Sequence, residues 1–225
     1  MNDPSTTLEQ QVTRVLIVDD HELLRDGLRQ LIMRQPKLDV CGEAANESEA
    51  RKCFRQLQPD LVIVDLALQE SSGLDLIKWI VKTAPSTKVI VSSMYEERDY
   101  GERVMRAGAV GYVHKQQPAR TILTGIAQVL DGKLFYSEAL SRRMRMRATD
   151  AETPMDQSVV SALSDRELEI FTLIGDGRST EQIASRLNLS TNTIGTYRER
   201  LKSKLEIASA AELVRFATLW VTNGR

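Results

Sequence analysis

Apolar and polar positions along the chain follow two rhythms. Up to about residue 131, short unbroken apolar runs alternate with segments of helical period. Arg14–Val18, "LVIVD" ending at Asp65, "KVIVSS" ending at Ser93 and "VGYVHK" ending at Lys115 read as strands, and "LDVCGEA" is strand-like. Between them, Glu22–Met33 repeats apolar residues at helical spacing, with Leu23, Leu24, Leu28, Leu31 and Ile32 expected on one face. "SEARKCFRQL", "GLDLIKWIVKTA", "ERDYGERVMRAG" and "PARTILTGIAQVLDG" predict four more helices, punctuated by Pro59, Pro85, Gly108, Pro118 and Gly132. Five strand–helix units with continuous apolar strands imply a parallel sheet covered on both faces.

The alternation stops near Lys133. "SRRMRMRATDAETPMDQS" is charged; its Arg/Met part can extend a helix and its second half reads as an exposed linker. From Leu163 every signal is helical. Ser164 and Glu167 make a capping box before an apolar run that ends at Gly175 and Gly177. "STEQIASRLNL", "STNTIGTYRERLKSKL" and "SAAELVRFATLW" predict three further helices, four in all. The domain boundaries expected are 14–131, a linker over 132–160, and 161–225.

Composition changes this picture little. The 225 residues are 42% hydrophobic and 27% charged, with a net charge of -1, so bulk charge draws neither nucleic acid nor membrane. The start, "MNDPSTTLEQQ", lacks the basic and apolar parts of a signal peptide and reads as a loose tail. Cys41 and Cys53 lack metal-ligand spacing and are expected to be buried free thiols in a reducing, cytoplasmic setting.

The chemistry lies at strand ends. Asp19, Asp20, Asp65, Ser93 and Lys115 each fall at or just past the carboxyl end of a strand, where open α/β sheets bind ligands. Carboxylate oxygens suit a hard cation, and magnesium completed by a phosphate fits best. Lys115 is placed to neutralise a phosphoryl group and Ser93 to donate to it. Asp65 has the position of a nucleophile that forms an acyl-phosphate. The bland alternative is that each acid caps the next helix, as Asp20 is well placed to do.

These residues, with Tyr112, resemble a response-regulator receiver domain over roughly residues 14–131: a flavodoxin-like, doubly wound fold with a five-stranded parallel sheet. "LSDRELEIFTLIGDGRSTEQIASRLNLSTNTIGTYRERLKSKL" resembles the LuxR-type helix-turn-helix, and the pair resembles the NarL/FixJ class of two-component transcription regulators. The resemblance implies that Asp65 takes a phosphoryl group from a sensor histidine kinase. Asp19, Asp20, Asp65 and the Ala67 carbonyl would hold Mg2+, Lys115 and Ser93 would meet the phosphoryl group, and Tyr112 would turn inward as the switch aromatic. Leu68 and Gln69 stand where the family has an apolar residue and then proline. Tyr95 beside the site is expected to hinder the attacking water and lengthen the phosphorylated lifetime.

In a helix-turn-helix the second helix enters the major groove. Here it is Thr191–Leu205, with Asn192, Thr193, Gly195, Thr196, Arg198 and Glu199 as outward candidates for promoter DNA. Tyr197, Arg200, Lys202 and Lys204 are candidates for phosphates or the helix flank, and Ile194, Leu201 and Leu205 for the core. Gly195, Tyr197 and Glu199 depart from the basic residues and histidine the family often carries there. From Asp156 onward nine Lys/Arg balance nine Asp/Glu, so a solvated helix face is the plain alternative. The last helix, Ala210–Trp220, resembles the dimer-forming helix of the class, and a homodimer on phosphorylation is expected. A phosphohydrolase with an Asp nucleophile would carry a second acid two residues on, where this chain has Ala67, so no enzyme in the usual sense is expected. A module that binds without phosphorylation is the other alternative. His21 is expected to face solvent, His114 to point away from the pocket, Trp79 to pack on the sheet, and Trp220 to cap its helix end.

Overall fold

Val15–Val18 and Leu61–Val64 are sealed from solvent on both faces, and the architecture follows from that. The computed structural model describes residues 12–68, 72–149, 159–160 and 162–223. The tail before Val12, Gln69 and the stretch 150–158 of the expected linker lie outside them. Strands β1 (Thr13–Val18), β2 (Leu38–Ala44), β3 (Leu61–Val64), β4 (Lys88–Ser93) and β5 (Gly111–His114) form one sheet in the order β2-β1-β3-β4-β5, all parallel. Alternate residues feed two cores. Val15, Ile17, Leu61, Ile63, Ile90 and Val113 meet α1 (Glu22–Met33) and α5 (Arg120–Leu130). Leu16, Val18, Val62, Val64, Val89 and Val91 meet α2 (Glu47–Leu57), α3 (Gly73–Thr83) and α4 (Glu97–Arg106). The connections change sides between β1 and β3, so Asp19 and Asp65 emerge at the switch point.

Several expectations are corrected. Leu23 is 84% exposed and Leu24 is also exposed. At about 100° per residue, Leu23 lies opposite Ile32, and Leu28, Leu31 and Ile32 are the residues of α1 that pack inward. Asp20 does not cap α1: His21 is the cap residue, without a side-chain bond, and Asp19 Oδ1 accepts the His21 N–H at 2.9 Å. Cys41 and Cys53 are only partly buried. Cys41 lies at the β1–β2 register shift, its thiol donating to the Val15 carbonyl at 3.4 Å. Trp79 packs against the core on the α2–α4 side of the sheet and is also held by α2. Its ring meets Phe54 edge-on at 5.5 Å, and the Arg51 and Arg55 guanidinium groups lie over it at 4.7 and 5.3 Å.

The first part of the expected linker is built onto the first domain. Phe135 bridges Gly111 of β5, and the Tyr136 hydroxyl donates to the Ala109 carbonyl at 2.6 Å. Helix α6 (Glu138–Thr149) buries Leu140 against α4 and sends Arg143 to the Arg98 carbonyl at 3.0 Å. The C-terminal unit consists of α7 (Asp165–Gly175), α8 (Thr180–Leu187), α9 (Thr191–Lys204) and α10 (Ala210–Asn223). Ser164 and Ser179 each close a capping box, and Ser190 caps α9. Gly175 is required where α7 crosses α10: a Cβ there would lie 2.6 Å from the Ala217 carbonyl oxygen. Every residue from Glu167 to Gly175 is buried, because α7 packs on its own domain and also on the receiver-like domain near α3 and α4.

Candidate functional site

The short loops after β1, β3, β4 and β5 bring Asp19, Asp20, Asp65, Ser93 and Lys115 to one sheet edge. Asp65 is 2% exposed. Lys115 bridges the two strand-end acids, its Nζ 2.6 Å from Asp19 Oδ2 and 2.6 Å from Asp65 Oδ2. Asp65 Oδ1 accepts the Ala67 N–H at 3.2 Å. Burial raises the Asp19 pKa, repulsion from Asp65 adds to it, and Lys115 opposes both. Burial alone would lower the Lys115 pKa; the two carboxylates outweigh it and raise it.

One ammonium against three carboxylates leaves a surplus of negative charge in a nearly dry pocket. Asp20 Oδ1 is buried without a hydrogen bond, although the His21 ring nitrogen approaches it to 2.7 Å. Asp19, Asp20, His21 and Asp65 present ligand atoms within 4.8 Å of one another. Such an oxygen-rich, underneutralised set fits a hard divalent cation. His21 is mostly exposed, as expected, yet its ring leans on the acidic pair.

Ser93 is fully buried, and its hydroxyl accepts the Tyr95 N–H at 3.3 Å. Tyr112 is already inside in the unmodified chain, its hydroxyl donating to the Tyr95 carbonyl at 2.6 Å. Tyr95 does not lie over the pocket as a shield. Its ring stacks on Tyr100 with centroids 4.7 Å apart, and its hydroxyl donates to Glu169 Oε1 of α7 at 2.7 Å. His114 turns aside to the Met94 carbonyl at 3.0 Å.

On α9, Asn192, Thr196, Glu199 and Arg200 are exposed, and Ile194, Leu201 and Leu205 are buried as expected. Other candidates are engaged within the chain. Thr193 Oγ1 lies 2.8 Å from Ser190 Oγ, and Arg198 donates to Thr180 Oγ1 at 2.8 Å. Lys202 pairs with Glu199 at 2.8 Å, while Lys204 reaches the capping-box Glu167 at 2.7 Å. Tyr197 lies under the Arg200 guanidinium at 5.6 Å, and Gly195 opens the helix surface with nothing near where a Cβ would stand.

Residues 15–127 match the response regulator receiver domain, and residues 161–217 match the luxR family of bacterial regulatory proteins. The chain is 31% identical to the response regulator GacA of Pseudomonas aeruginosa over 204 residues, covering 91% of this chain and 94% of GacA. The chain is a response regulator of the NarL/FixJ class. The response regulator UvrY of Escherichia coli K12 is 32% identical over 203 residues, with 90% of this chain and 92% of UvrY covered. Among solved structures, RcsB of Salmonella enterica serovar Typhimurium bound to promoter P1flhDC with the phosphomimetic BeF3- aligns at 25% identity. It has a TM-score of 0.55 and covers 91% of this chain and 97% of RcsB. As a response regulator with a LuxR-type domain, the chain is a phosphorylation-dependent transcription regulator. No helix among the described residues is long and apolar enough to cross a membrane.

Sequence reasoning missed what joins the two domains. Arg103 of α4 donates to the Leu163 carbonyl at 2.7 Å, the Val160 carbonyl at 3.1 Å and Asp165 at 3.0 Å. Lys78 of α3 reaches the other Asp165 oxygen at 3.0 Å. These partners are dozens of residues apart, and no local pattern marks them. Asp99 was also unmarked. Burial pushes its pKa up to about 6, with Arg98 and Arg143 opposing and Glu96 and Asp176 adding.

Proposed function

We propose that Asp65 of this response regulator accepts a phosphoryl group from a sensor histidine kinase, and that the modification changes dimerisation and promoter binding by the C-terminal domain. The observation that carries this reading is the Lys115 ammonium held 2.6 Å from both Asp19 and Asp65 at the sheet's switch point. Asp19, Asp20, Asp65 and the Ala67 carbonyl would hold Mg2+, which would offset the charge on an incoming phosphoryl group. A carboxylate oxygen of Asp65 attacks phosphorus, the donor's leaving group departs, and an acyl-phosphate remains. Lys115 then pairs with a phosphoryl oxygen, and Ser93 turns its hydroxyl toward another. Tyr112 keeps its inward place behind Ser93.

Residues 14–131 form the phosphoacceptor unit, 132–160 the connection, whose first part through α6 stays packed on that unit, and 161–225 the DNA-binding unit. Asn192, Thr193, Gly195, Thr196, Arg198 and Glu199 face the major groove, with Arg200 and Lys202 at phosphates. Where Arg198 and Lys202 serve DNA, they exchange Thr180 and Glu199 for it. Two reading helices spaced for successive half-sites favour a homodimer. The chain works in the cytoplasm, and its chemistry is self-modification rather than enzymatic turnover of a separate substrate.

The test is intact mass after incubation with acetyl phosphate, with and without magnesium. Wild type gains one phosphoryl group only with magnesium, and Asp65→Ala gains none. Addition that persists in Asp65→Ala overturns the assignment.

A further inference from the structure

Tyr95 stands between the two halves of the molecule. Its backbone belongs to the pocket: its N–H donates to Ser93 Oγ at 3.3 Å, and its carbonyl accepts the Tyr112 hydroxyl at 2.6 Å. Its side chain belongs to the other domain, where the hydroxyl donates to Glu169 Oε1 at 2.7 Å. Tyr95 is 7% exposed and Glu169 5%, so neither side of that bond has free access to water. Glu169 has a second partner, Arg166, at 2.7 Å on its other oxygen.

The surrounding contact joins the domains without making the junction permanent. Tyr95, Tyr100 and Val104 run into one buried apolar cluster with Val160, Leu163 and Leu168. Arg103 and Lys78 clamp Asp165 at the rim. Yet Glu169 and Thr172 are polar groups buried in the same junction, and opening would return them to water. The face covered on the DNA-binding side is α7. Asn192, Thr196, Glu199 and Arg200 of α9 stay exposed while the domains are docked. Docking therefore does not hide the reading helix itself; it fixes where that helix can be.

We propose that the Tyr95–Glu169 hydrogen bond is the latch through which phosphorylation of Asp65 releases the DNA-binding domain. This rests on the phosphoryl-acceptor reading above. When Ser93 turns its hydroxyl toward the phosphoryl group, it withdraws the acceptor of the Tyr95 N–H. The Tyr95 backbone shifts, and its phenol is carried off Glu169. Docking and phosphoryl binding thus oppose each other, and linkage makes the effect reciprocal: a latched chain binds a phosphoryl mimic more weakly than an unlatched one.

The test uses the full chain, dilute and monomeric, with Tyr95→Phe, which removes one oxygen and keeps the ring and its stack. Small-angle X-ray scattering reads the radius of gyration, and titration calorimetry in magnesium reads beryllofluoride affinity. Unmodified Tyr95→Phe is expected to be as extended as wild type with beryllofluoride, and to bind the mimic about ten-fold more tightly, the size expected for a bond to a charged group. Glu169→Leu, opening the latch from the other side, is expected to do the same, and the double variant no more than either. A Tyr95→Phe chain as compact as wild type overturns the latch. An extended one with unchanged affinity overturns the coupling. If wild type binds no beryllofluoride, the acceptor reading fails; the unmodified Tyr95→Phe radius still decides whether the hydroxyl holds the domains together.

Discussion

In the receiver pocket, Asp19, Asp65 and Lys115 are nearly dry and locked at 2.6 Å; on α9, Asn192, Thr196, Glu199 and Arg200 stand in water. The first arrangement stores charge. Its groups are held by strand ends and cannot relax, so a phosphoryl group or a cation meets partners already in place. The second stores reach. Its groups cost little to keep exposed and take their positions when DNA arrives. One region should therefore be sensitive to single substitutions in the free protein, and the other only in the complex.

The largest expected effect tests the locked side. Lys115→Ala leaves Asp19 and Asp65 buried and unpaired, and should cost about 3–5 kcal/mol of stability at neutral pH. Because Asp19, whose pKa burial already raises and Lys115 holds down, then takes up a proton more readily, the loss should shrink as pH falls toward 4, and millimolar magnesium should restore part of it at pH 7.5. Thermal melts across pH check this; a loss independent of both pH and magnesium would break the charge-storage account.

Next comes the buried acid at the seam of α4, α6 and α7. Asp99 has a folded pKa of about 6 against an ordinary 3.8, so the folded chain holds its proton more tightly than the unfolded one. Its contribution is most favourable at low pH, falls as pH rises from about 4 through 6, and is flat above. Asp99→Asn should stabilise by about 2 kcal/mol at pH 7.5 and by almost nothing at pH 4. Denaturant titrations at the two pH values read the difference.

The exposed side should respond the other way round. Asn192→Ala and Arg200→Ala should each weaken DNA binding about ten-fold, and Arg200→Ala should also reduce the salt dependence by about one ion. Both should leave folding stability within about 0.5 kcal/mol. Fluorescence anisotropy across salt concentrations, beside a melt of each variant, separates the two readouts. The smallest effect is Glu199→Ala, which frees Lys202 from its 2.8 Å pair and removes a negative charge from the reading face. A gain of a few-fold in DNA affinity with no change in melting is expected.

The pocket was readable in the sequence because each of its residues terminates an unbroken apolar run, and a parallel sheet gathers such ends at one edge. The C-terminal unit was readable through the Ser164/Glu167 capping box and the Ile194/Leu201/Leu205 spacing, while the caps at Ser179 and Ser190 emerge only from the structure. What escaped has a common cause. Tyr95 and Glu169 lie 74 residues apart, and their bond depends on how two finished domains dock. Phe135, Leu140 and Arg143 look like linker residues until β5 and α4 supply what they pack against. Leu23 escapes for a different reason: apolar residues of one helix need not share a face, and the helical step turns Leu23 to the side opposite Ile32.

The most direct test of the central claim, that the state of Asp65 governs the DNA-binding domain, is sequence selection from a random duplex pool. Full-length wild type would be used with and without beryllofluoride and magnesium, and sized on the recovered DNA. The account predicts strong enrichment of a two-half-site sequence and a dimer on it only with beryllofluoride. The same enrichment and the same stoichiometry without it would contradict the claim.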